Sequence, residues 1–127
     1  MDILKQTRRH DVVFCRDGII RISANIAKIL DIQPGDCINI DADRGEYLLY
    51  IYHRASVVHP DLAQYPAACH KAKANCRNMV TRCKTLANAI LDIAGVQDFK
   101  AGFYCGEPVD KDQHRYLPII TRNPLAL

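Results

Sequence analysis

The sequence of 127 residues carries 17 lysines and arginines against 14 aspartates and glutamates, so its net charge is +3. A hydrophobic content of 49% is ordinary for a globular protein. The sequence has neither a signal-peptide hydrophobic region nor an apolar run of about 18 residues, which argues against secretion and membrane spanning. The six cysteines then predict reduced thiols and a cytoplasmic location. Since no Cys-x-x-Cys pair occurs, a finger-type zinc site is not expected.

The charges are unevenly distributed along the chain. Residues 1–28 carry six basic and three acidic side chains, whereas residues 29–54 carry five acidic and two basic ones. Residues 66–91 carry five basic side chains and no acidic one. Segregation of this kind favours a face that binds a polyanion. The alternative is a solvated helix face with scattered surface charges.

The first part of the chain predicts a β-hairpin. Residues 1–10 are polar and basic, and form either an arm or a first edge strand. The apolar run 12–15 is followed by Arg16-Asp17-Gly18, a strong signal for a hairpin turn. Residues Gly18 to Ile22 have the alternating pattern of a β-strand and are rich in β-branched side chains, so they predict the second strand.

A short helix and two further strands are predicted next. Ser23 is a good N-cap for a helix that carries apolar residues at helical spacing. Pro34 and Gly35 then suit the two central positions of a tight turn. Strands over 37–40 and 47–52 complete a β-β-α-β-β unit.

This order of residues resembles the swapped-hairpin module of the AbrB/MazE-like DNA-binding proteins over about residues 8–53. One departure is Ser23, which stands where that family usually has proline. The resemblance implies an interleaved homodimer that forms one β-barrel, and a unit this small buries little apolar surface alone. The positions that carry the resemblance are Gly18, Ile20, Ile22, Ile26, Leu30, Ile32, Pro34, Gly35, Asp36, Ile38 and Ile40.

The second half of the chain predicts a long helix. Residues 56–66 contain two prolines and are predicted as a linker. Over 67–94, apolar and small residues recur every seven positions, as in a coiled-coil seam, and Gly95 would end the helix. Successive cysteines of the seam would lie about 10 Å apart, too far to share one metal ion, so core packing is expected for them. The cysteines concerned are Cys69, Cys76 and Cys83.

The C-terminal region predicts a β-hairpin, formed by 99–105 and 116–120 around a turn. The predicted fold class is therefore α+β, with a dimeric swapped-hairpin barrel followed by a long helix and a hairpin. The predicted division is a domain over residues 1–55, a linker over 56–66 and a domain of no recognised family over 67–127.

Signals of catalysis are weak. Nucleophilic catalysis requires an activated cysteine or serine beside a base. Cys69 and His70 are adjacent in the sequence, but neighbours in a helix point about 100° apart. No phosphate-binding glycine loop and no paired-carboxylate motif occurs. We therefore expect a protein that is not an enzyme and that needs no cofactor or metal.

Binding of duplex DNA is the function that the sequence favours, as in a transcriptional regulator. The predicted contacts are Arg8, Arg9, Arg16 and Arg21, which flank the first hairpin, the region that carries the DNA contacts in the family that the chain resembles. Arginine neutralises phosphate and can also read guanine. A rival basic face on the predicted helix carries Lys73, Arg77 and Lys84. The alternative is an oligomerisation or protein-interaction module built from the barrel and the Cys-rich helix. An antitoxin is less favoured. Antitoxins of the resembled family usually carry an acidic, disordered tail that wraps a toxin, whereas the second half of this chain is basic and has the pattern of an ordered segment.

Overall fold

The computed structural model describes residues 10–53, 69–72 and 76–127. This part of the chain contains ten strands and two helices. In chain order they are β1 (Val12–Cys15), β2 (Ile19–Ile22), α1 (Ala24–Ile29), β3 (Asp36–Asp43), β4 (Glu46–His53), β5 (His70–Lys71), β6 (Met79–Arg82), α2 (Lys84–Ile93), β7 (Lys100–Phe103), β8 (Val109–Lys111), β9 (His114–Pro118) and β10 (Leu125–Ala126).

The strands form two antiparallel sheets. One has six strands in the order β10-β7-β1-β2-β6-β5, and the other has four in the order β3-β4-β9-β8. In the described ranges the sheets do not close into a barrel. In both sheets, strands that precede residues 54–68 pair with strands that follow them.

The β1–β2 hairpin follows directly from its turn residues. Gly18 has φ of 100°, a backbone conformation that side chains with a Cβ rarely adopt. The Asp17 carboxylate accepts a hydrogen bond of 3.1 Å from the backbone amide of Ile19 at the start of β2. Alternation along β2 then buries Ile20 and Ile22 against the core.

Helix α1 is defined by local contacts at both ends. The Ser23 hydroxyl accepts a hydrogen bond from the backbone amide of Ile26 at 3.4 Å. After the helix, Asp31 has φ of 54°, and the Ile32 amide donates to the Ala27 carbonyl at 2.8 Å. Asp36 accepts from the Gln33 amide at 2.9 Å and so closes the predicted turn. The predicted order of elements over residues 12–53 is confirmed.

One hydrophobic core joins both helices to both sheets. Its largest fully buried side chains include members of the six-stranded sheet, of each helix and of the four-stranded sheet. Segments that are far apart in the sequence therefore stabilise one another through one shared hydrophobic core. Representative core residues are Phe14, Ile20, Ile26, Leu49, Leu91, Phe103 and Leu117.

The predicted fold class is wrong, because the chain is mostly β and its helices are short. The predicted helix over 67–94 is reduced to α2 over Lys84–Ile93. Residues before it form β5 and β6, and β6 pairs with β2 of the same chain. Val80 and Thr81 are β-branched, and Thr81 is only 1% exposed opposite Ile20. Pairing with an existing sheet therefore outweighed the seven-residue pattern.

The predicted C-terminal hairpin is also incorrect. β7 pairs with β1 and β10 in one sheet, whereas β9 pairs with β4 and β8 in the other. The two segments meet at a short antiparallel bridge in which Cys105 faces Ile119. The predicted linker over 56–66 lies outside the described residues. Neither α1 nor α2 is long and apolar enough to cross a membrane, and the described residues contain no other helix.

The three cysteines of the predicted seam occupy different environments. Cys69 and Cys83 are buried, as predicted, but Cys76 is partly exposed. Burial, aided by the nearby Cys37 and Asp36, raises the pKa of Cys69 to about 12. Its thiol is therefore protonated at neutral pH, which suits a packing role. All six cysteines are free thiols.

Candidate nucleic-acid interface

The six-stranded sheet presents one face to the core and the opposite face outward. Alternation along the strands determines which side chains belong to each face. On β2, Ile20 points to the core and Arg21 points outward; on β6, Thr81 points to the core and Arg82 points outward. The outward positions of the central strands are Val13, Cys15, Ile19, Arg21, Val80, Arg82, Lys100 and Gly102.

Cross-strand pairing places the outward cations in two neighbouring rows. Arg21 is opposite Val13 on one side and Val80 on the other. Arg82 is opposite Ile19, and Lys100 is opposite Cys15. Cations and apolar side chains therefore alternate across the face: all three cations are exposed, Ile19 and Val80 are half-buried, and Val13 and Cys15 are buried.

A groove of about 380 Å³ runs over this face. Its lining combines apolar side chains of β1 and β2 with cations at its sides. Phe99, which is 56% exposed, and Leu127, which is 53% exposed, add apolar surface. The residues that line the groove are His10, Val13, Cys15, Asp17, Ile19, Arg21, Phe99, Lys100 and Leu127.

The groove is lined by two cations and one acidic residue. Its acidic residue, Asp17, already accepts the backbone amide of Ile19. Burial raises the pKa of the Cys15 thiol, and Asp17 raises it further, while Arg21 and Lys100 oppose the shift. Cys15 is therefore protonated and neutral at physiological pH, and the two cations Arg21 and Lys100 outnumber the one carboxylate, Asp17, in the lining.

Gly102 allows a close approach between β7 and His10. A Cβ atom at Gly102 would lie 2.7 Å from Cγ of His10, closer than any ordinary contact. The absence of a side chain at Gly102 therefore lets the imidazole lie against the sheet, where it lines the groove. A larger residue would displace His10.

The predicted contact residues are placed in different ways. Arg21 is exposed on the outer face of the sheet. Arg16 instead donates to Asn88 and Asp92 and to the carbonyl of Val96, so its guanidinium joins the hairpin turn to α2. Arg8 and Arg9 lie outside the described residues.

The long helix that was predicted to carry the rival basic face is not formed. Arg77 precedes β6 and Lys84 begins α2, so the two residues lie at opposite ends of β6. Both are exposed. Lys73 lies outside the described residues.

Two cations of the outer face were missed by sequence reasoning. Arg82 was assigned to a helix, although the alternation of buried Met79 and Thr81 with Val80 and Arg82 is the pattern of a half-buried strand. Lys100 begins a strand whose partner, β1, lies far away in the sequence. The period of two is a signal for the first, but it covers only four residues and the longer helical pattern outweighed it, whereas the second depends on the tertiary pairing.

No family model matches the sequence, no curated protein matches it, and no solved structure matches the fold.

Proposed function

We propose that the protein binds duplex DNA through the outer face of the six-stranded sheet. The observation that carries this proposal is that exposed Arg21 and Arg82 lie on the paired strands β2 and β6, and exposed Lys100 lies on β7, on the other side of β1. The two arginines lie beside half-buried Ile19 and Val80 on a face opposite the core. Such a face attracts a polyanion by its charge.

The arrangement of the arginines supports contact with regularly spaced phosphates. Arg21 and Arg82 are diagonal neighbours on antiparallel strands, since Arg21 faces Val80 while Arg82 faces Ile19. Diagonal neighbours lie about 7–8 Å apart at the sheet surface. The Ile20–Thr81 pair lies between them, so the two guanidinium groups flank an approximate two-fold axis through the β2–β6 pair.

The width of the sheet indicates which part of the duplex is contacted. Six strands at the usual spacing span about 24 Å. The major groove is only about 12 Å wide, so the sheet cannot enter it as a two-stranded ribbon can. Contacts therefore fall on the phosphate backbone, and binding depends more on salt and duplex shape than on base sequence.

The test is a fluorescence-anisotropy titration with a labelled duplex at two salt concentrations. We expect the double variant Arg21→Gln, Arg82→Gln to bind about tenfold more weakly, or about 0.7 kcal/mol per lost contact. The slope of log K against log salt should fall by about 0.9 for each lost phosphate contact.

The matched control is the double variant Lys111→Gln, Arg122→Gln, which removes the same charge from exposed positions outside β1, β2 and β6. It should bind the duplex almost as the parent does. Equal weakening in both double variants would show a nonspecific charge effect and overturn this choice of face. If the parent binds no duplex even at low salt, the proposed function is wrong.

A further inference from the structure

The chain contains two similar strand–helix units, β2–α1 and β6–α2. The two helices end in the same way: the amide of Ile32 donates to the carbonyl of Ala27, and the amide of Val96 donates to that of Leu91. The residue before each donor, Asp31 or Gly95, has a positive φ. By these bonds the last turn of α1 corresponds residue by residue to the last turn of α2.

In the second unit, an arginine and an acid meet at the end of the helix. Arg16, in the turn that enters β2, donates to the Asp92 carboxylate at 2.8 Å. It also donates to Asn88 at 2.9 Å and to the Val96 carbonyl at 2.6 Å. Its charge is therefore neutralised within the protein.

In the first unit, the corresponding acid is replaced by a cation. Lys28 corresponds to Asp92, since the Asp31 amide donates to the Lys28 carbonyl as the Gly95 amide donates to that of Asp92. Arg77, in the segment that enters β6, lines the same cleft as Lys28. Two cations therefore lie where the other unit has an ion pair.

A third cation completes the cleft. Lys71 of β5 lines it with Lys28 and Arg77, and all three are exposed. Its acidic residue, Asp31, accepts a hydrogen bond of 2.9 Å from the Gln33 side chain. Within the described ranges, no salt bridge joins any of the three cations to a carboxylate.

We propose that this cleft, between α1 and the β5–β6 edge, binds a small molecule that bears a phosphate monoester. A phosphate monoester carries a charge of about −1.5 to −2 at pH 7, which matches the excess of cations. The cleft has a volume of about 280 Å³, just below the usual range of ligand pockets, so it suits a phosphate with a small body. Ala27 and Met79 provide apolar contact for that body.

The experiment is isothermal titration of the full chain with ribose 5-phosphate and with inorganic phosphate, in chloride of matched ionic strength. Ribose is the uncharged control. We expect both phosphates to bind, the ester more tightly, and ribose not to bind. Absence of binding by both phosphates at millimolar concentration would overturn the proposal, even if the protein binds duplex DNA.

The informative variant is Lys28→Asp, which copies the acid of the other unit and gives Arg77 an internal partner. We expect at least a tenfold loss of phosphate affinity with no fall in the melting temperature. The control, Lys84→Asp, makes the same charge change outside the cleft and should retain binding. Unchanged binding in Lys28→Asp, or equal loss in both variants, would refute the assignment.

This site is independent of the proposed DNA face. The double variant Arg21→Gln, Arg82→Gln leaves the cleft intact, so it should bind ribose 5-phosphate as the parent does. If that variant loses ester binding as well, the ester binds at the outer face of the sheet and the cleft proposal is wrong.

Discussion

The helices α1 and α2 follow equivalent strands and end with the same hydrogen bonds, yet they are stabilised differently. α1 begins at Ser23, whose hydroxyl caps the chain locally. α2 begins at Cys83, which makes no side-chain cap, and is instead joined to a distant turn by Arg16 and Asn88. Local sequence therefore defines the first helix, whereas tertiary contacts define the second.

The largest effect should come from the core that the two units share. Ile26 and Ile90 occupy corresponding positions, and each is 2% exposed. We expect Ile26→Ala and Ile90→Ala each to lower the free energy of unfolding by about 3 kcal/mol, because each leaves a cavity in the same core. Urea unfolding measures both. A loss below about 1 kcal/mol in either variant would show that its helix is not part of one cooperative core.

An intermediate effect should come from Arg16. The carboxylate of Asp92 is 69% exposed, so the salt bridge itself contributes little. The half-buried bonds to Asn88 and to the Val96 carbonyl carry most of the effect. We expect Arg16→Ala to lower the free energy of unfolding by about 1.5 kcal/mol in the same urea assay. An unchanged midpoint would mean that α2 does not depend on this contact.

The smallest effect should come from the cap of α1. The hydrogen bond from Ile26 to Ser23 is long, at 3.4 Å, so we expect Ser23→Ala to cost about 0.5 kcal/mol. Thermal unfolding and helix-specific hydrogen exchange measure it. A cost greater than that of Arg16→Ala would reverse the comparison between the helices.

The difference between local stabilisation of the first unit and tertiary stabilisation of the second explains which elements could be predicted from the sequence. The first unit was predicted in the correct order because Asp17-Gly18, Ser23 and Pro34-Gly35 specify its turns and cap through neighbouring residues. Its β-barrel and interleaved partner were inferred by resemblance, and the barrel was wrong. Within the chain, β6 occupies the edge of β2, a pairing that no local signal announces. Homodimer formation itself stays a prediction.

The second unit was mistaken for a coiled-coil helix. Its cysteines recur at seven-residue intervals, but they lie before β5, before β6 and at the start of α2. A four-residue strand such as Met79–Arg82 contains only two repeats of the buried–outward alternation, which is too short a signal to outweigh a longer helical pattern. Its identity depends on pairing with Ile19–Ile22, far away in the sequence.

The candidate site, too, could be predicted from the sequence only where it depends on local patterns. Arg21 was predicted because it lies in the well-patterned first hairpin. Arg82 and Lys100 join it only once β6 and β7 are paired on either side of that hairpin. Arg16 belongs to the same hairpin, but its contacts with α2 give it a structural role. A charge count alone cannot separate an arginine that faces solvent from one that holds a helix.

The most direct test of the proposed DNA face is an NMR titration of the isotope-labelled protein with a short duplex at low salt. We predict that the largest amide shifts fall on β2, β6 and the start of β7, around Arg21, Arg82 and Lys100. The β8–β9 pair should remain unshifted, because it belongs to the other sheet. Shifts confined to β8–β9 or to the α1 cleft, with none on the outer face of the six-stranded sheet, would contradict the account.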